Sequence, residues 1–152
     1  EEDLDFHVSC QQQLGGTPDA GVFHARGRAR ARLDRLREAL RDFNTAISLR
    51  RDVPECWNDR GYCRFLLGDR AGAVRDYERG VVAARRKGIL YDPSRASVWT
   101  FFEKIADVHR HTALEARAAG DVEAARRAEA LFVQAKTAAA GVEAKARAAA
   151  PK

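Results

Sequence analysis

The chain has 152 residues, four prolines, no methionine and a net charge of +5, enough for one compact domain of helix-favouring composition. It holds no apolar run of the roughly 18 residues that a membrane span needs, which excludes insertion as a helix, and no signal-peptide pattern. Cys10, Cys56 and Cys63 show neither a CxxC pair nor any metal-ligand spacing.

In chain order, residues 1–17 read as half a repeat: Asp5-Phe6 resembles Asp42-Phe43 and Asp76-Tyr77, and Ser9 follows its aromatic as Ala46 and Gly80 follow theirs. A missing upstream neighbour would leave Leu4, Phe6 or Val8 partly exposed. Gly15 to Asp19 is a turn, with Pro18 opening the next helix. Repeat one spans 19–53, with helices over 20–33 and 36–50 joined by Leu33-Asp34-Arg35. Repeat two spans 54–87, with helices over 54–67 and 70–86 and Asp69 as N-cap of the second. Ile89-Leu90-Tyr91 is an apolar link, and Asp92-Pro93 restarts a helix. Trp99, Phe102, Ala106, His109, Ala113 and Ala116 recur at threes and fours up to the Gly120-Asp121 break. The last helix repeats the spacing small-large-small in Ala128, Phe132 and Ala135, so 92–150 is an elongated third hairpin. Its alanine-rich end, 138–152, offers little to pack and is expected to fray.

A 34-residue offset carries repeat one onto repeat two: Phe23 onto Trp57, Arg26-Gly27 onto Arg60-Gly61, Ala39 onto Ala73, and Asp42-Phe43 onto Asp76-Tyr77. In period and pattern this resembles the tetratricopeptide repeat (TPR) family. Arg26 and Arg60 stand where the family usually has Leu, Arg30 and Arg64 where it often has Tyr, and the proline comes late, at Pro54. The expected fold is all-α: a single domain over 1–152, built as a helical hairpin array (α-solenoid) with an elongated C-terminal hairpin. The resemblance implies protein–protein interaction, with first helices lining a concave surface that takes peptide segments. Such a module would be one domain of a larger bacterial protein, since the chain lacks a start Met and its 22 arginines against five lysines match the bias of a GC-rich genome. A cytoplasmic setting follows from reduced, buried thiols. Cys56 and Cys63, seven apart on one helix, would lie about 10 Å apart, too far for a disulfide.

Chemistry-bearing motifs are few. His109 and His111 point to nearly opposite sides of a helix and cannot share a metal ion, whereas Asp107, His111 and Glu115 share a face and read as a surface ion-pair ladder. There is no HExxH, GxSxG or glycine-rich phosphate loop, so neither an enzyme nor a cofactor is expected. Arg26 and Arg60 should turn inward, and a buried guanidinium needs an anion, so Arg26–Asp42 and Arg60–Asp76 are expected as structural ion pairs.

Carried across by repeat position, the groove stripe is Gly21, His24, Arg28, Ala31 and Arg32 in repeat one, and Glu55, Asn58, Tyr62 and Phe65 in repeat two. Thr100, Lys104 and Asp107 extend it onto the third hairpin. Asn58 beside Asp59 does not make the family's clamp for chaperone tails. Tyr62 and Phe65, with no evident core role and next to basic residues, suit an acidic peptide with an aliphatic or aromatic anchor. Two alternatives stand beside this reading. Nucleic-acid binding through the Arg-rich helix 26–41 is disfavoured by Asp34, Glu38 and Asp42. Self-association would use the long hairpin or the first half repeat.

Overall fold

Each helical hairpin turns on one device, a helix end whose next residue adopts the left-handed conformation. In the computed structural model, which describes residues 5, 6, 9, 19–90 and 96–149 (the side chains of 96–99 and 149 excepted), six long helices follow one another without a strand among the described residues. They are α1 (Ala20–Arg32), α2 (Leu36–Leu49), α3 (Pro54–Leu66), α4 (Arg70–Arg86), α5 (Ala96–Ala118) and α6 (Val122–Ala149). Between α3 and α4, Gly68 has φ 85°, and the Asp69 N–H reaches back to the Arg64 carbonyl at 2.9 Å. Gly88 and Gly120 end α4 and α5 in the same way. Between α1 and α2 the same bond runs from the Arg35 N–H to the Arg30 carbonyl, but Asp34 holds the left-handed position at φ 58°.

The helix starts follow from local chemistry. Carboxylates of Asp19, Asp69 and Asp121 accept from the N–H groups of Gly21, Gly72 and Ala124, at 3.2, 2.9 and 2.9 Å. Pro54 opens α3, where its missing N–H costs nothing. The four helices of the first two hairpins lie within a residue of their expected limits. The Asp92-Pro93 restart, Cys10 and the side chain of Trp99 lie outside the described residues, as does most of the first half repeat. Of that half repeat, Asp5, Phe6 and Ser9 are helical, and Phe6 is 74% exposed.

Every helix packs on its chain neighbours, and α1, α3 and α5 also touch in sequence, so the hairpins stack as an array. Repeat-equivalent aromatics fill the hairpins: Phe43 lies fully buried between α1 and α2, and Tyr77 between α3 and α4. Burying each contributes about 1.5–3 kcal/mol. Ala39, Ala46 and Ala73 beside them are also fully buried, their small side chains admitting close helix approach.

The frayed C-terminal end expected from the sequence does not occur within the described residues. The helix α6 continues to Ala149 with Ala139, Val142 and Ala146 buried, at the spacing that began with Ala128. At 1.5 Å per residue this helix is about 42 Å long. That length returns it past the start of α5, where Val142 joins Leu90 and Phe101 in one apolar cluster. Alanine adds little area per residue, but a row of alanines lets a helix lie close enough for one valine to complete the contact.

Candidate functional site

Two arginine–carboxylate clusters hold the first two hairpins and fix which cations are left over. In the second, Arg60 donates to both oxygens of Asp76, Nε to Oδ2 at 2.9 Å and Nη2 to Oδ1 at 2.6 Å, while Arg64 Nη1 donates to Oδ2 at 2.9 Å. The Asp76 side chain is fully buried, and Arg60 Nη1 also donates to Asn44 Oδ1 at 2.8 Å. In the first, Arg26 Nη2 and Arg30 Nη1 meet Asp42 at 2.6 and 2.9 Å. Both of these arginines also reach Asp5, at 3.1 and 2.9 Å. Asp5 thus bridges the first half repeat to repeat one, a partner that the offset alone did not name. The second arginine of each cluster, Arg30 or Arg64, follows the first by one helical turn, so both reach the same carboxylate.

With those arginines engaged, the surface shared by α1, α3 and α5 carries a second polar chain. His24 Nε2 lies 2.8 Å from Asp59 Oδ2, and Arg28 Nε lies 3.8 Å from the same oxygen. Asn58 Nδ2 donates to Asp59 Oδ1 at 3.0 Å, and Lys104 Nζ donates to Asn58 Oδ1 at 2.5 Å. The chain therefore ties all three hairpins across one face. Lys104 is largely desolvated, which lowers its pKa below that of an ordinary lysine, and Asp59 acts against the shift. Its ammonium also stands 5.9 Å from the centre of the Tyr77 ring.

Two clefts open on either side of Tyr62. One, of about 350 Å³, lies between α1 and α3, with Arg28, Ala31 and Arg32 on one wall and Tyr62 and Leu66 on the other. Tyr62 is 50% exposed, Leu66 48%, and both arginines are solvated. The other, of about 190 Å³, lies between α3 and α5 and includes Phe65, Lys104 and Asp107.

Phe65 departs from the expectation that it lacks a core role. Its ring packs partly buried on the cluster of the third hairpin, edge-on to His111 at 5.2 Å between centroids, with the Arg70 guanidinium 5.2 Å from its centre. The ladder expected along α5 does not form among the described residues. Asp107 instead takes Arg110 at 3.3 Å and Glu115 takes Arg70, whose Nε lies 2.8 Å away. The N-terminal end of α4 brings a permanent cation to Glu115, leaving the His111 ring to pack on Phe65.

Two residues of this face escaped the stripe. Leu66 is the 34-residue counterpart of Arg32, so the offset already pointed to it. Asp59 corresponds to Ala25, and an acid where the preceding repeat has a methyl group is itself the signal. Among the described residues no helix is long and apolar enough to cross a membrane. No family model matches the chain. Over 53 residues, 35% of its length, the chain is 43% identical to mouse (Mus musculus) "Tetratricopeptide repeat protein 36", and the matched stretch spans 28% of that protein.

Proposed function

We propose that this chain is a tetratricopeptide-type interaction module, a single domain with repeats over 19–53 and 54–87 between a half repeat and an elongated cap, which takes a peptide segment in the groove lined by α1, α3 and α5. The observation that carries the reading is the pairing of half-exposed Tyr62 and Leu66 with solvated Arg28 and Arg32 across one cleft. An apolar side chain of the ligand would lodge between Tyr62 and Leu66, and its carboxylates would meet the two arginines. His24, Asn58 and Lys104 serve as groove wall, braced through Asp59. The similarity to the mouse tetratricopeptide repeat protein supports a repeat scaffold rather than an enzyme.

An acidic peptide is favoured over nucleic acid because Arg26, Arg30 and Arg35, three cations of the basic stretch, are held by Asp42, Asp5 and Glu38. The test is a panel of glutamate-rich peptides with and without a central Leu or Phe, followed by amide chemical-shift mapping. Tyr62→Ala with Leu66→Ala should abolish the advantage of the anchored peptides while leaving helicity unchanged. Arg28→Glu with Arg32→Glu should weaken binding in a salt-dependent way. Shifts confined to other helices, or no difference between anchored and unanchored peptides, would remove the groove reading.

A further inference from the structure

The opposite face carries a separate depression of about 680 Å³, between α2 and α4. Its floor is Ile47, Trp57 and Ala83, with half-exposed Val82 at its edge. Arg51, Arg79 and Arg86 line it, and none of the three has a carboxylate partner among the described residues. This contrasts with Arg26, Arg30, Arg60 and Arg64, each of which is paired. Arg79 and Arg86, with Val82 between them, follow at three and four along α4 and so share a face. The depression is also braced. The Arg79 guanidinium stands 5.2 Å from the centre of the Trp57 ring, and Trp57 Nε1 donates to the Arg51 carbonyl at 2.8 Å.

We propose that this depression is a second binding site, independent of the groove, for an acidic peptide segment carrying an aliphatic side chain. Three uncompensated guanidiniums around an apolar floor complement carboxylates flanking a hydrophobic anchor. A nucleic acid fits less well. Trp57 is nearly buried and lies under a guanidinium, so no base can stack on it. At one end the Asp52 carboxylate, with Lys87 Nζ at 3.0 Å and Arg50 Nε at 3.6 Å, interrupts the positive surface that a continuous phosphate backbone would follow.

The probe is a fluorescein-labelled polyglutamate peptide with one central leucine, titrated into the full chain at low and at physiological ionic strength. If both faces bind, the unaltered chain takes two equivalents, and Arg79→Glu with Arg86→Glu removes one of them with a loss of about tenfold or more in affinity at that site. Val82→Ser should weaken the same site several-fold, and Arg28→Glu with Arg32→Glu should leave it intact. A single equivalent on the unaltered chain, removed by the Arg79 and Arg86 reversal and untouched by the Arg28 and Arg32 reversal, would overturn the groove reading and not this one. Arg86→Glu by itself, in the exposed last turn of α4, keeps the test open if the double variant loses helicity. The proposal falls if Arg126→Glu with Arg127→Glu, a matched reversal on α6, which contributes nothing to the depression, weakens the peptide equally, because net charge would then explain the binding. It also falls if the Arg79 and Arg86 reversal leaves peptide binding unchanged, or if oligothymidine binds with that arginine dependence and the peptide does not.

Discussion

The Tyr77 ring lies against the backbone of Gly61 so closely that a Cβ at that position would stand 2.8 Å from Cε1 and 3.0 Å from Cδ1. Phe43 meets Gly27 in the same manner, at 2.7 and 2.9 Å, one repeat earlier. Because the ring is buried and flanked by Ala73, it has little room to move aside. Gly61→Ala should therefore lower stability by about 1–3 kcal/mol, and Gly61→Leu by more. Thermal melts of the two variants decide it. Pairing Gly61→Ala with Tyr77→Leu should give less than the summed losses, and an unchanged midpoint for Gly61→Ala would show that the ring yields.

The two arginine clusters should differ in cost. Asp76→Ala leaves Arg60, itself nearly buried, without its only carboxylate partner among the described residues, and should destabilise by about 3–5 kcal/mol. Asp42→Ala should cost less, because Asp5 remains in contact with both Arg26 and Arg30. Urea unfolding of the two variants ranks them. A double-mutant cycle on Arg60 and Asp76 should show strong coupling, whereas additive losses would mean that the guanidinium finds water when its partner is gone.

The first turn is the weakest of its kind. Asp34 adopts the left-handed conformation that Gly68 occupies 34 residues later, and an L-residue does so at a cost that glycine avoids. Asp34→Gly should raise stability by up to about 1 kcal/mol, with the gain localised to the first hairpin in hydrogen exchange. A loss instead would indicate that the Asp34 side chain contributes to the turn.

Alkaline pH should weaken the fold through its thiols. Burial, reinforced by the charges of Asp59 and Glu55, pushes Cys56 from 9.0 up to about 12, and burial with Asp59 pushes Cys63 up to about 11. Both groups are neutral when folded and ionise more readily when unfolded. Their contribution is thus complete below pH 9 and declines as pH rises towards 11–12. The gap between denaturation midpoints at pH 8 and pH 10 should narrow from the parent chain to Cys56→Ala with Cys63→Ala, once the pH 8 loss from the cavities is subtracted; buried Tyr77, also shifted upward, keeps part of it. Cys56 and Cys63 should also resist iodoacetamide until the chain opens.

Most of the array was legible because the 34-residue offset repeats hard constraints. A glycine must accept an aromatic at Gly27 and Gly61, and an inward arginine must find an anion at Asp42 and Asp76. What the offset could not carry is what repeats do not share. Phe65 replaces Ala31, and a ring in that position reaches the third hairpin, whose own length brings His111 against it. The order of 138–149 was hidden for another reason. Alanine scores as weakly apolar, yet its value in α6 comes from allowing close approach, a property of the pair of surfaces and not of the residue. His24, Arg28, Asn58 and Tyr62, placed on one stripe by repeat position, lie along the face shared by α1, α3 and α5, but the polar bracing of that face through Asp59 depends on side-chain reach across hairpins.

Because each helix touches only helices one or two places away, no contact among the described residues ties the first hairpin to the last. The energy landscape is then that of a linear chain of coupled units and not of one closed body. Opening of α1 and α2 leaves the cluster around Phe101 intact, so partly open states with an ordered C-terminal half lie between native and unfolded. Under mechanical load along the array, separation should begin at the N-terminal side, where the hairpin with the strained Asp34 turn lies, and advance one hairpin at a time. A ligand spanning α1 and α3 would couple adjacent units, so occupancy of the groove would register as a change in the order in which the hairpins release.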